Sequence, residues 1–263
     1  MKRIHFFELE DQSWLPNAIR EGITDYLQYA SDRIRLYKGI LPILRKGIDK
    51  SGNNRIIDLC SGGGGGMRSI HQQLQNENVD AEIVLTDKFP NVDAFQKASE
   101  ETDGKIRYMN TPVDAVNVPK ELHGFRTQFV SFHHFDPKNA QRILTNAAWQ
   151  QEPIGIFEAT ERSWTNLIAM LFTPIVVMFA IPFIRPFKFS RFFFTFVIPA
   201  IPLATMWDGI VSVLRTYTVE ELRDMTDHIH VPGYQWEVGR VKEKGKPAVL
   251  YLLGYPEQIR KAA

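Results

Sequence analysis

Five consecutive glycines, Gly62–Gly66, follow the apolar run Ile56–Leu59 and precede a helix-like stretch expected to begin near Met67. A tight turn needs one or two glycines; five let the backbone adopt positive φ and approach a ligand closely, beside the unpaired N–H groups that open a helix. The apolar runs Ile56–Leu59, Ile83–Thr86, Ile106–Tyr108, Phe129–Phe132 and Ile154–Phe157 alternate with helical spacing. That alternation predicts an α/β fold, a doubly wound and mostly parallel sheet built from right-handed crossovers. Tyr234–Val241 and Ala248–Tyr255 flank a polar turn and predict a terminal antiparallel hairpin.

Two or three helices are expected ahead of the sheet, giving an N-terminal helical cap over 1–50 and a core over 51–263. With 31 Lys+Arg against 30 Asp+Glu the net charge is +1, and no basic stripe with interleaved aromatics is present, so nucleic acid is not the expected partner. The single cysteine excludes an internal disulfide, and no leader-like apolar run follows Met1; a cytoplasmic protein is the expectation.

The glycine run is neither of the common nucleotide fingerprints. No frame satisfies G-x-G-x-x-G, which disfavours a dinucleotide, and no G-x-x-x-x-G-K-[ST] is present. The segment Asp58-Leu-Cys-Ser-Gly62-Gly-Gly64 instead resembles the first motif of the class I S-adenosylmethionine-dependent methyltransferases, with Cys60 where that family more often has glycine. Asp87 in Val84-Leu-Thr-Asp-Lys88 matches the acidic residue that ends their second strand, Asp114-Ala115 the position near the adenine, and Phe129-Val-Ser-Phe-His133-His134 their fourth-strand motif. The resemblance covers about 55–157 and the last thirty residues.

It implies S-adenosyl-L-methionine as cofactor, held by Asp58, Cys60, Ser61, Gly62, Gly64, Asp87, Lys88, Asp114, Ala115 and His133. Asp87 would accept hydrogen bonds from both ribose hydroxyls, a task suited to an acceptor-only side chain. His134, then Glu158, are the expected catalytic groups should the acceptor need deprotonation. No metal site is expected, because adjacent histidines and one distant cysteine lack metal-ligand spacing. On this reading a valine at Gly64 blocks the ligand's path.

After the fifth strand, Ser163–Ile184 and Phe192–Trp207 contain no charged residue, and Arg185, Lys188 and Arg191 lie between them. The apolar insertion 164–206 therefore reads as a membrane-associating element, with those three bases on anionic headgroups, or as a buried lid over a hydrophobic pocket. Trp207-Asp-Gly209 reads as a turn, Arg215 and Tyr217 as pocket or packing residues, and Thr218 with Glu221 as a helix-opening capping box. The expected function is methyl transfer to a hydrophobic or lipid-like small molecule, with peripheral contact at the inner face of the membrane. The alternative is a non-catalytic module that binds cofactor or lipid.

Overall fold

The computed structural model describes residues 1–257, which form two compact units. The larger runs from Leu36 to Ala159 and resumes at Thr218. It contains one sheet in the order β3-β2-β1-β4-β5-β7-β6, made of β1 (Arg55–Asp58), β2 (Glu82–Leu85), β3 (Ile106–Tyr108), β4 (Phe125–Phe129), β5 (Ile154–Glu158), β6 (Tyr234–Val241) and β7 (Val249–Pro256). Strands β1 to β5 pair in parallel; β7 runs antiparallel to β5 and to β6. The expected doubly wound sheet and terminal hairpin are both present.

Strand order reverses between β1 and β4, so the carboxyl ends of these strands flank the crevice where open α/β sheets bind ligands. Ile56, Ile57, Ile154 and Ile156 are fully buried, as expected of central strands covered on both faces. Helices α3 (Gly65–Asn76), α4 (Val92–Glu100) and α5 (Pro137–Trp149) supply the crossovers, and α10 (Val219–Asp227) precedes β6. The capping box expected at Thr218 and Glu221 opens α10 with both reciprocal bonds.

The fourth strand lies four residues before the expected one. Phe125-Arg-Thr-Gln-Phe129 carries three consecutive polar residues, all buried, and so gives no apolar run. The Arg126 guanidinium donates to Asn146 at 2.8 Å and Gln150 at 2.6 Å, and burial lowers its pKa to about 10. Phe132 lies beyond the strand, in a short 3-10 turn with both histidines.

The cap expected over 1–50 is divided. Helix α2 (Leu41–Ser51) buries Leu41, Leu44 and Ile48 in the sheet's core with Phe125 and Leu253, whereas α1 (Asn17–Ile34) belongs to the second unit. That unit comprises Met1–Arg35 and Thr160–Tyr217, and includes α6 (Trp164–Leu171), α7 (Thr173–Ala180), α8 (Phe189–Phe196) and α9 (Ala200–Arg215). Its core joins Leu15, Ile19 and Ile23 to Val177, Ile181 and Ile201. Pro174, Pro199 and Pro202 stand at or just before helix starts, where a missing N–H costs no helical hydrogen bond.

Trp207-Asp-Gly209 lies within α9 rather than in a turn. A Cβ on Gly209 would stand 2.7 Å from Met170 Sδ, so this glycine permits close packing of α9 against α6. The Asp208 carboxylate accepts from the Leu9 and Glu10 N–H groups, at 2.6 and 3.1 Å, fastening the N-terminal segment to α9. Arg215 pairs with Glu8 at 3.2 Å and Tyr217 lies under the Arg3 guanidinium, so both residues pack within the helical unit.

Candidate functional site

Asp58 ends β1 with its carboxylate turned inward, accepting from Thr127 Oγ1 at 2.9 Å and Ser61 Oγ at 2.7 Å. Burial raises its pKa to about 7 against the pull of those two hydroxyls. A carboxyl whose folded-state pKa exceeds its unfolded value stabilises most in acid; that contribution is lost as pH rises from about 4 to about 7. Asp58→Asn is therefore expected to stabilise the fold at pH 8, on the order of a few kcal/mol, and to flatten the loss between pH 5 and pH 8. Thermal unfolding at the two pH values checks this; a variant that melts lower at both assigns the carboxylate a net stabilising role.

The chain then turns sharply. Cys60 has φ +59°, a left-handed conformation that glycine adopts more readily. Its Sγ accepts from Gln128 Nε2 at 3.6 Å, and burial holds the thiol well above its ordinary pKa, in the protonated form. Ser61 and Gly64 close the loop through Gly64 N–H to Ser61 O at 2.7 Å, with φ +53° at Gly62 and +67° at Gly64.

The two glycines face different surroundings. A Cβ on Gly64 would stand 2.8 Å from Leu85 Cδ1 and near Phe95, whereas one on Gly62 would meet nothing within 4 Å. Gly62 is thus the open position, and valine at Gly64 would first meet Leu85 and strain the fold.

Asp87, just past β2, leans over this loop. Its Oδ2 accepts from Gly62 N–H at 3.0 Å and its Oδ1 from Phe89 N–H at 2.8 Å. Lys88 Nζ donates to Asp114 Oδ2 at 2.9 Å, and this bond, more than any other influence, holds the Asp114 carboxyl below its ordinary pKa. Asp114 also caps the short turn beginning at the buried Ala115. Asp87, Lys88, Asp114 and Ala115 thus follow β2 and β3, on the carboxyl-end side of the sheet that carries the glycine loop.

Beyond β4 the backbone is strained. Val130 has φ +49°, rare for a β-branched residue, and the 3-10 turn Phe132–His134 follows directly. Glu158, at the end of β5, accepts from the His133 backbone N–H at 3.1 Å and its carboxylate lies 2.8 Å from His133 Nδ1. Both side chains are almost wholly buried. A proton on Nδ1 directed at the carboxylate places the neutral ring's lone pair on Nε2. His134 is only half-buried, its ring centroid 4.5 Å from that of His133.

Thr127 and Gln128 precede the expected strand Phe129–Phe132, whereas Ser131 lies within it. Gln128 Oε1 and Ser131 Oγ are buried with no hydrogen-bond partner among the described residues. A run of three polar residues after Gly124 is the available signal.

No family model and no curated protein matches the chain. Among solved structures, the O-methyltransferase NcsB1 of neocarzinostatin biosynthesis, in complex with S-adenosylmethionine and 2-hydroxy-5-methyl naphthoic acid, aligns with a TM-score of 0.53. The alignment covers 91% of this chain and 58% of NcsB1 at 12% identity. The chain has the class I methyltransferase fold. It spans a little over half the length of NcsB1. The pyocyanin biosynthetic protein PhzM aligns over 83% of this chain and 54% of its own, with a TM-score of 0.49 and 16% identity. For the plantazolicin methyltransferase BpumL, in complex with SAH, the shares are 91% and 98%, with a TM-score of 0.47 and 12% identity.

The site suits the cofactor that this fold implies: Gly62 leaves room for close approach, Asp87 offers a carboxylate beside it, and Gln128 and Ser131 hold polar atoms in reserve. Asp87→Ala is expected to weaken S-adenosylhomocysteine binding by roughly 1–3 kcal/mol in isothermal titration. Unchanged affinity would remove the carboxylate from the site.

Proposed function

We propose that the protein is an S-adenosylmethionine-dependent methyltransferase acting on a hydrophobic small molecule at a lipid surface, on the inner face of the membrane. The observation that carries the cofactor reading is the open space above Gly62, bordered by Asp87, at the point where strand order reverses in a methyltransferase fold. Open left-handed glycines also stand at Gly104, Gly233 and Gly245, so it is the place of Gly62 beside Asp87 at the switch point that supports the reading.

Bound S-adenosylmethionine supplies a methyl group already activated on a sulfonium. The chain's own part is to bind, orient and manage one proton. Asp87 would exchange its bonds to Gly62 and Phe89 for the ribose hydroxyls, and Gln128 or Ser131 would satisfy its orphaned oxygen on ligand polar groups. His133, oriented by Glu158, would take the proton from a hydroxyl, phenol or ammonium acceptor at Nε2. Holding the acceptor in line supplies much of the remaining acceleration.

The apolar acceptor is inferred from the strongly apolar insertion following β5. The naphthoic acid held by NcsB1 is a consistent precedent. The test is conversion of S-adenosylmethionine to S-adenosylhomocysteine in the presence of a lipid extract. Binding without turnover would indicate a non-catalytic module.

A further inference from the structure

Helix α6 has no buried residue, whereas α7 and the turn after it put Val177, Ile181 and then Ile184 into the helical unit's core. Their outer side carries Trp164, Ile168, Leu171, Ile175, Phe179 and Phe183, spaced three or four residues apart, and Phe179 is 75% exposed. Helix α8 continues the pattern with Phe189, Phe192 and Phe196, Phe189 being 72% exposed. An isolated exposed aromatic is ordinary; a series of this extent marks an interaction surface.

Its chemistry identifies the occupant. Protein–protein interfaces are only slightly more than half apolar and carry a polar rim, whereas Ser163–Ile184 has no charged side chain at all. A helix apolar all round belongs in a core or in lipid, and here one side lies open to solvent. No single described helix is long and apolar enough to cross a bilayer. The pairs α6 with Thr173–Phe183, and α8 with α9, have the required composition but are bent by 49° and 75°. Each eight-residue helix measures about 12 Å, less than half of a hydrocarbon core of about 30 Å. Neither pair forms a straight span.

The intervening bases do not act as the sequence suggested. Arg191 is 2% exposed; its guanidinium pairs with Asp25 and donates to the Ile184 and Pro186 carbonyls at 2.8 and 2.6 Å. Lys188 pairs with Glu21 and Asp25, both at 3.1 Å. Of the three, Arg185 alone is exposed. Lys188 and Arg191 thus tie this segment to α1.

We infer that the helical unit docks monotopically into one leaflet through the outer faces of α6, α7 and α8, held by apolar insertion rather than by headgroup charge. This deepens the lipid-surface part of the proposed function and rests on it, while remaining independent of cofactor and chemistry. Vesicle binding can therefore fail while S-adenosylhomocysteine binding stands.

The test is flotation of the full chain with vesicles of phosphatidylcholine alone and of phosphatidylcholine mixed with phosphatidylglycerol. Comparable binding to both is expected, retained at about 1 M salt, where charges are screened within about 3 Å. Phe179→Glu combined with Phe183→Glu should reduce partitioning by about 100-fold, roughly tenfold per residue. Ile168→Glu with Phe172→Glu repeats the test at separate exposed positions, and Trp149→Glu, on the exposed end of α5, should leave binding unchanged. Retained unfolding midpoints and S-adenosylhomocysteine affinity verify that the variants are folded. The inference is overturned if the wild type stays with the soluble fraction, if salt strips it from the mixed vesicles, if both double variants float normally, or if sedimentation shows the face buried in a stable dimer.

Discussion

Gly62→Val is expected to reduce S-adenosylhomocysteine affinity by on the order of 100-fold or more, the factor that about 2.7 kcal/mol of lost contact produces. The side chain would enter space that is open within the protein, and φ +53° is unfavourable for a β-branched residue. Gly64→Val provides the contrast. Its Cβ meets Leu85, so overpacking costs about 1–3 kcal/mol of stability in addition to the strained φ. Titration calorimetry with unfolding curves separates the two: affinity falls most in the first variant, stability in the second. Wild-type affinity in folded Gly62→Val would show that the loop is only a turn.

His133→Ala is expected to lower turnover by roughly 100- to 10,000-fold on an acceptor that must lose a proton, while cofactor affinity stays within a few fold. The buried Glu158 carboxylate fixes the turn through the His133 backbone N–H and the ring through Nδ1. Glu158→Gln retains one acceptor oxygen for two donors, and should give a smaller loss with a shifted pH profile. His134→Ala, whose half-buried ring stands beside that of His133, should lose less than His133→Ala. Equal losses, or full activity in His133→Ala, would dissociate the buried pair from proton transfer. The measurement is S-adenosylhomocysteine formation with a lipid extract across a pH series.

Legibility from sequence followed the apolar signal. Ile106–Tyr108 and Tyr234–Val241 coincide with β3 and β6. Strand β4 does not, since Arg126, Thr127 and Gln128 are buried through specific partners that no periodicity reveals. The same blindness concealed which histidine is gripped: His133 and His134 are adjacent in sequence, and only the end of β5 places Glu158 against the first. The glycine run signalled a ligand loop, yet five identical residues could not indicate that Gly62 faces open space and Gly64 faces Leu85. Composition located the apolar insertion but not the ion pairs that tie Lys188 and Arg191 to α1, nor the burial of Arg191.

The most direct measurement is isothermal titration of the full chain with S-adenosylhomocysteine, with NAD and ATP as parallel ligands. Saturable binding of S-adenosylhomocysteine alone, at one site per chain and weakened in Gly62→Val and Asp87→Ala, is the predicted result. Folded protein that ignores S-adenosylhomocysteine, or that binds NAD in its place, would contradict the account.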